Sequence, residues 1–454
     1  MSQTNPDLTA PVTRRLISAT YHSLIGLLSI ALFNVTDLWF IGHLGIDALA
    51  AMGFVGPIIL TMVALLISCE ITGSISVSEK LAVSNEQQIR KSILAILTFA
   101  LVISSILGLA GIFATPLIMT LLGADGFPSM LGESYLKVWF LHFPLLSICM
   151  VGNGLLRQDG LARKATRIVI VSTLINAMLD PLLIFGYGEF AGHGIQGAAW
   201  ATLLARVVCA FMVLYALNKR YRLTQYRSFS LHGLVDSWRN LVARVLAASF
   251  NRVLIPGSVI IATVFIAQYG KSTIAVFGVI NILQTFPIAF ILALNSVLIP
   301  FIRQNLAVDN IARVGQAVKL TIRFIMAWGV VQAIGFSVLS GKIANAFAVD
   351  MEVVELLAFY FQMVPISLIG IGLFLTNNAI SYSLTRFSRV MLMNLVRIFV
   401  FFLPGVFIGG IIGGSMGILV GLGIANMGVG VVAIFGLRAV LRNQHLENTL
   451  SQSI

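Results

Sequence analysis

Residues Asn176 to Gly186 read NAMLDPLLIFG, and this stretch decides the fold class. It places a carboxylate, Asp180, inside an apolar segment of membrane-spanning length, with Pro181 directly after it. An acidic side chain within a bilayer costs ~2.5–3.5 kcal/mol on insertion scales, so such a group usually faces a polar cavity and functions there. Pro181 also frees the carbonyl of Ala177, which then needs another partner. The stretch therefore predicts a membrane helix that carries a functional carboxylate.

Polar residues around this carboxylate recur at helical spacing. One predicted stripe holds Thr173, Asn176, Asp180 and Tyr187. A second intramembrane acid, Asp37, lies in the first apolar segment of the chain, with Asn34 one turn before it. We therefore expect Asp37 and Asp180 to act as a pair.

The composition excludes a water-soluble domain. The 454 residues are 58% hydrophobic and 10% charged, with a mean hydropathy of +0.97. Long apolar runs recur along the whole chain, which is typical of an α-helical protein that crosses the membrane many times. The first run, Ile17 to Ile41, is longer than a signal-peptide core and lacks a small-residue cleavage site, so we expect it to be retained.

The net charge of +12 is a topology signal. With the spans given below, 23 of the 29 Lys and Arg residues fall on one side of the membrane. The positive-inside rule then places both termini in the cytoplasm. Basic residues distributed in this way attract anionic lipid and give no reason to expect a nucleic-acid partner.

Twelve apolar runs predict twelve transmembrane helices. Their expected bounds are 17–42, 48–78, 89–114, 130–156, 165–187, 196–217, 245–268, 273–302, 314–338, 353–382, 387–409 and 414–437. The longest connection, 218–244, is basic and has no long apolar run. The predicted organisation is an amino-terminal lobe at 1–217, a cytoplasmic linker at 218–244 and a carboxy-terminal lobe at 245–454.

The two halves resemble each other in sequence. At an offset of 225 residues, FIGHLGIDALAAMG from Phe40 aligns with FIAQYGKSTIAVFG from Phe265, and LAVSN from Leu81 aligns with LAVDN from Leu306. Because each half has an even number of spans, the repeats run parallel and are related by a pseudo-two-fold axis along the membrane normal. The expected fold is an all-α polytopic membrane protein with two six-helix lobes facing each other across a cleft.

The alignment also shows where the halves differ. Three membrane acids of the first half align with uncharged residues of the second. At the offset of 225, Asp37 aligns with Ala262 and Glu70 with Asn295. At an offset of 220, which aligns GIQG at Gly194 with GSMG at Gly414, Asp180 aligns with Val400. The second half instead has Arg252 and Arg397 within its spans. Chemistry that needs a titratable carboxylate is therefore expected in the first half.

These features together resemble a known family. The parallel six-plus-six repeat, NxxxDPxxIFG at Asn176, GxxGAAxAT from Gly194 to Thr202 and the lone Asp37 are similar to those of the multidrug and toxic compound extrusion (MATE) transporters, most closely their DinF-like branch. The resemblance implies export of drugs and dyes in exchange for H⁺ or Na⁺. It also implies a cation-coupled site formed by Asp37, Asn176, Asp180 and Thr202.

The resemblance further implies that Asn153 of the fourth helix lines the same cavity, with Asn34 and Tyr187 as other candidates for the substrate pocket. One departure concerns the first helix. Relatives bend this helix at a proline, whereas Ile17 to Ile41 contains none. Asn176 and Thr202 have a simpler alternative role as hydrogen-bonding residues between helices.

Glu70 and Arg206 lie within their spans toward the same side, so a structural ion pair between them is predicted, the alternative being separate snorkelling. Arg252 and Arg397 are interpreted as hydrogen-bond donors or snorkelling residues, with contact to an anionic substrate as the alternative.

The cysteines and histidines give no sign of a disulfide or of a metal site. The three cysteines, Cys69, Cys149 and Cys209, fall in apolar segments without paired spacing, and the six histidines form no metal-binding motif.

The leading hypothesis is a secondary antiporter that exports cationic or amphiphilic small molecules, functions as a monomer in the lipid bilayer and needs no cofactor beyond its coupling ion. Two neighbouring buried carboxylates are expected to share a proton. Na⁺ is the competing ion at Asp37, Asn176, Asp180 and Thr202, because hard cations prefer oxygen donors. The alternative transport function is a flippase for lipid-linked saccharides. A membrane-embedded enzyme is disfavoured because the expected aspartyl signature is missing.

Overall fold

The computed structural model describes residues 11–81, 86–225, 231–308 and 310–451. The first half consists of helices joined by short connections and one small hairpin. The helices are α1 Val12–Gly42, α2 Ile46–Leu81, α3 Glu86–Leu121, α4 Gly126–Gln158, α5 Ala162–Phe185 and α6 Gly194–Tyr221. The hairpin between α5 and α6 pairs β1, Gly186–Tyr187, with β2, Phe190–Ala191. A 3-10 turn, Leu223–Gln225, follows α6.

The second half contains more breaks. Its helices are α7 Leu231–Ala267, α8 Lys271–Leu283, α9 Thr285–Leu306, α10 Ile311–Phe347, α11 Met351–Met363, α12 Leu368–Ser383, α13 Phe387–Val396 and α14 Leu403–Ser451. A 3-10 turn, Pro365–Ser367, separates α11 from α12, where proline lacks the backbone donor that a continuous helix needs. A π-helical turn, Arg397–Phe402, joins α13 to α14.

The prediction of an all-α membrane protein is confirmed. Eleven helices or runs of consecutive helices in the described residues are long and apolar enough to cross a membrane. The last run, Phe387–Arg438, contains two crossings because α14 changes direction at Gly413 and Gly414. Gly414 has a φ of +57°, which glycine adopts without the steric cost of a Cβ. The twelve predicted spans therefore correspond to the helices of the structure.

Two compact units divide the chain. The first, called the Asp37 unit, is residues 33–279, and the second, called the Arg397 unit, is residues 1–32 with 280–454. The predicted linker at 218–244 lies inside the Asp37 unit, where its ends belong to α6 and α7; its residues 226–230 lie outside the described residues. The division between the units therefore falls within α1 and α8 and not at the basic connection.

The start of α7 is held within the Asp37 unit by one aromatic side chain. Trp238 donates a hydrogen bond from Nε1 to the carbonyl oxygen of Ala95, at 3.1 Å, and its ring meets that of Phe99 edge to face. Both partners lie on α3, and Phe99 belongs to a buried apolar cluster that also includes residues of α2, α4 and α6. This packing explains why part of the polar connection is ordered as helix.

The Arg397 unit has two buried apolar clusters. One centres on Leu298, Phe301 and Val318, and the other on Ile325, Phe374 and Val429. The two arms of α14 pack closely because glycines face each other across the bend: Gly405 and Gly409 against Gly417 and Gly421. Small residues allow helix backbones in a membrane to approach in this way.

The duplicated segments contact each other inside the Asp37 unit. Gly53 ends the first repeated segment and Gly278 ends the second, and a Cβ added to Gly278 would lie 2.7 Å from the Cα of Gly53. Midway along these segments, Lys271 Nζ lies 3.0 Å from Asp47 Oδ1. The contact between equivalent glycines is what an axis through the α2–α8 crossing would produce.

We expect Gly278→Ala to destabilise the protein by about 1–3 kcal/mol, because the added methyl group has no space at this crossing. The matched control is Gly56→Ala in α2, where an added Cβ has nothing within 4 Å. Unfolding in a titration with denaturing detergent measures both. Equal stability of the two variants would contradict the close crossing.

Candidate functional site

The helix α5 presents one buried polar face. Its buried residues recur every three or four positions: Ala165, Ile168, Ser172, Asn176, Asp180 and Ile184. Asn176 and Asp180 therefore share a face, as the sequence predicted. Thr173 is only half-buried beside this face, and Tyr187 lies beyond the helix in β1 with its side chain 82% exposed. The structure thus leaves Tyr187 outside the buried cluster, because the chain turns at Gly186 before reaching it.

An amide bridges α5 to α6. Asn176 lies with its Nδ2 atom 3.1 Å from Asp180 Oδ1 and 3.3 Å from Thr202 Oγ1, so one NH₂ group can donate to both oxygens. All three side chains are at most 6% exposed. The structure therefore brings together three of the four residues predicted for the coupling site through direct hydrogen bonds.

The close packing of α6 on α5 has a local cause. Ser172 donates a hydrogen bond from Oγ to the carbonyl oxygen of Ala205, at 3.1 Å. Near the hairpin, Gly197 lies directly against the carbonyl of Leu183, where no Cβ would fit, and the His193 amide donates to the same carbonyl at 2.8 Å. The glycine and alanine residues at the start of α6 thus place Thr202 within reach of Asn176.

Asp37 of α1 is the fourth residue predicted for this site. Its side chain is 7% exposed, and it lies close enough to Asp180 for the two charges to interact. Asp37 Oδ1 and Asp180 Oδ2 are both buried and have no hydrogen-bond partner in the described residues. A buried carboxylate oxygen without a partner is costly unless it binds a proton, a cation or water. The pair therefore has the capacity to hold a positive ion.

Tyr135 of α4 is a residue that the sequence analysis missed. Its side chain is 3% exposed and interacts electrostatically with both Asp37 and Asp180. The available signal was a polar stripe on α4 in which residues recur at steps of seven and four: Tyr135, His142, Cys149 and Asn153. All four are buried. The phenol adds a group that can donate or accept a hydrogen bond near the carboxylates.

Asn153 lies at the opposite end of this stripe. It is eighteen residues after Tyr135 on the same helix, or about 27 Å along its axis. Its Nδ2 donates to the Cys149 carbonyl at 2.9 Å and approaches Cys209 Sγ at 4.0 Å, while its Oδ1 is buried without a partner. Asn153 thus lies beside Cys149 and Cys209, far along α4 from Tyr135 and the two carboxylates. Asn34 is half-buried on α1, one turn before Asp37.

The predicted pairing of Glu70 with Arg206 was wrong. Glu70 forms its ion pair with Arg157 at the end of α4, and Gly154 one turn earlier leaves space for the carboxylate, since a Cβ there would lie 2.9 Å from Glu70 Oε1. Arg206 instead lies 5.4 Å from the centre of the Phe33 ring, and its Nε is buried without a hydrogen bond. Both arginines are far from α2 in sequence, and only the helix packing selects Arg157.

The two arginines predicted within spans of the second half differ in exposure. Arg252 is exposed on α7, whereas Arg397 is half-buried at the start of the π-helical turn, 5.1 Å from the centre of the Phe374 ring.

The three cysteines, which the sequence places in apolar segments without paired spacing, are buried and form no disulfide: Cys69, Cys149 and Cys209.

The chain is similar in sequence to a family model and to known transporters. The MatE family model matches residues 23–182, which include Asp37, Asn176 and Asp180. The FAD transporter of Shewanella oneidensis is 31% identical over 430 residues, which cover 94% of this chain and 95% of that protein. The multidrug export protein MepA of Staphylococcus saprophyticus is 26% identical over 362 residues, 78% of each chain.

Solved structures show the same fold. The MATE transporter VcmN of Vibrio cholerae in its bent form has a TM-score of 0.69 at 24% identity, with 96% of this chain and 98% of that chain covered. An inward-facing multidrug resistance MATE family transporter has a TM-score of 0.80 at 21% identity, covering 92% and 99% of the two chains.

A charge swap tests the corrected ion pair. Glu70→Arg or Arg157→Glu alone leaves two like charges side by side, so each should lower the yield of folded protein, whereas the double variant should recover most of it. The matched control combines Glu70→Arg with Arg206→Glu and should recover nothing. Monodisperse protein after detergent extraction, measured by size-exclusion chromatography, gives the readout. Recovery in the control alone would restore the original pairing.

Proposed function

Because this chain belongs to the MATE family of transporters, we propose that it is an ion-driven exporter whose coupling site consists of Asp37, Asn176, Asp180 and Thr202. Members of this family move small molecules across membranes and are not enzymes. The proposal extends the family assignment in two respects, the coupling ion and the residues that bind it.

One observation carries the proposal. Asp37 and Asp180 each have a buried oxygen without a partner, in a site where the two carboxylates repel each other. Two neighbouring buried carboxylates that are both charged repel each other, so binding one proton lowers the free energy of the site. Asn176 already donates to Asp180 and Thr202, which leaves the remaining oxygens available to the ion.

Protonation changes the hydrogen-bond capacity of the site. A carboxylate accepts only, whereas a carboxylic acid also donates, so a proton on either aspartate reverses the direction of one bond in this group. Such a reversal favours a different packing of α1 against α5 and α6, which is the kind of two-state change that alternating access requires. The proton that enters from outside then provides the driving force for export of the cargo.

Na⁺ is the competing coupling ion. The same site offers two carboxylates, an amide and a hydroxyl, and oxygen donors of this kind suit a hard cation. The NH₂ group of Asn176, however, donates to Asp180 Oδ1 and Thr202 Oγ1, so it competes with Na⁺ for two of these oxygens. We therefore propose H⁺ as the ion and treat Na⁺ as the outcome that would replace it.

Everted vesicles provide the test of coupling. With an imposed pH gradient and no sodium, we expect wild-type protein to transport a fluorescent cationic dye, and Asp37→Asn or Asp180→Asn to reduce transport to the level of vesicles without the protein. The matched control is Asp125→Asn, an exposed acid at the start of α4 whose side chain makes no capping hydrogen bond. It should transport like wild type.

The outcomes separate the alternatives. Transport that requires a sodium gradient replaces the proton with Na⁺ and keeps the site. Undiminished transport by both aspartate variants contradicts the site itself. Movement of a lipid-linked saccharide without any dye transport would favour the flippase.

The cargo is proposed to be cationic or amphiphilic drugs and dyes, in keeping with relatives described as multidrug export proteins. A second candidate is a flavin dinucleotide, because the relative that matches 94% of this chain is an FAD transporter. FAD carries two phosphates, and anionic groups need a cation in an apolar setting. Arg397 fits this requirement, since it is half-buried and its guanidinium lies over the ring of Phe374.

Uptake of FAD into the same vesicles tests this second cargo. If FAD is carried, Arg397→Gln should reduce its uptake by about tenfold, because a phosphate loses one charge-assisted partner, and should leave dye transport unchanged. The control is Arg323→Gln, an exposed arginine of α10. Equal loss of dye and FAD transport would indicate a structural role for Arg397, and absence of FAD uptake by wild type would exclude this cargo.

A further inference from the structure

The Arg397 unit contains a groove that the proposed transport function does not use. It lies between α13 and the second arm of α14 and has a volume of about 550 Å³. Its walls are mostly apolar, with one arginine at one end. The main lining residues are Ser388, Arg389, Leu392, Val432, Phe435 and Gly436.

The arginine is held in place by the neighbouring helix. Arg389 lies in the first turn of α13 and donates a hydrogen bond from Nη2 to the carbonyl oxygen of Gly436 on α14, at 2.6 Å. No acidic side chain pairs with it in the part of the chain that the structure describes. A guanidinium has five N–H donors, so several remain for a ligand in the groove. Its position is therefore fixed while its charge is not neutralised.

The groove opens onto the surface that faces lipid. Leu392 and Phe435 on its walls are 59% and 62% exposed, and both belong to segments that span the membrane. Arg389 lies at the end of these spans where Arg386 and Arg438 are also found. Of these basic residues, Arg389 lines the groove, where its charge attracts a negatively charged headgroup, and the apolar walls continue from there toward the middle of the bilayer.

We propose that this groove binds one anionic phospholipid, with its phosphate against Arg389 and Ser388 and an acyl chain along Leu392 and Phe435. A guanidinium recognises phosphate through paired N–H donors, which makes arginine the preferred residue for such contacts. A zwitterionic lipid brings its own ammonium group, which competes with Arg389 for the phosphate. The chemistry of the groove therefore selects phosphatidylglycerol over phosphatidylcholine.

Lipid binding is measured on the delipidated, full-length protein by native mass spectrometry. Phosphatidylglycerol and phosphatidylcholine with identical acyl chains are titrated separately, and we expect the first phosphatidylglycerol to bind about fivefold more tightly, as one basic residue near the surface provides. Arg389→Gln should remove this preference and keep a side chain able to donate to Gly436. Arg386→Gln, the same charge change three residues earlier and outside the groove lining, should retain it.

A second variant leaves the arginine in place. Leu392→Trp fills the groove, so it should weaken the tight binding of phosphatidylglycerol although Arg389 is intact. Equal binding of the two lipids by wild type would overturn the proposal, as would a preference that survives both Arg389→Gln and Leu392→Trp. Displacement of the bound lipid by excess glycerol phosphate would show that the site takes a free phosphate and not a lipid. Equal loss in Arg386→Gln would reduce the effect to general surface charge.

Discussion

The Asn176 amide is the interaction on which the candidate site depends. Through its Nδ2 it links Asp180 on its own helix to Thr202 on the next, in surroundings that exclude water. Hydrogen bonding to Asn176 satisfies one oxygen of Asp180 and leaves the other without a partner, beside a second carboxylate from α1. In an apolar environment a buried oxygen without a hydrogen-bond partner costs free energy, and a bound proton or cation would remove that cost.

The packing of small residues determines where that amide can act. Gly197 allows α6 to approach the end of α5, and Gly53 and Gly278 allow α2 and α8 to cross closely within the same unit. In a bilayer no hydrophobic force distinguishes one apolar helix surface from another, so close approach and polar contacts select the partners. The site is therefore a consequence of glycine and alanine positions as much as of its acids.

Sequence patterns found buried polar residues but not all of their partners. Asn176 and Asp180 could be found because a polar residue in an apolar span is unusual, and α5 places both on one buried face. Thr202 was indicated only by the resemblance to the MATE family. Glu70 was given the wrong arginine, because Arg157 lies near the end of its helix and looks solvated in sequence. Tyr135 was missed because one tyrosine among many apolar and aromatic residues carries no signal by itself.

The sequence alone determined that this chain spans a membrane as twelve helices, that its segments are duplicated and that its intramembrane acids lie in the first half. Length, apolarity and spacing are properties of single segments, so they can be read without knowing the neighbours. Only the tertiary structure decided which side chains meet: the ion pair of Glu70, the exposure of Tyr187, the division of the units within α1 and α8, and the groove beside Arg389. Each of these depends on how helices distant in sequence pack, and one-dimensional patterns do not contain that information.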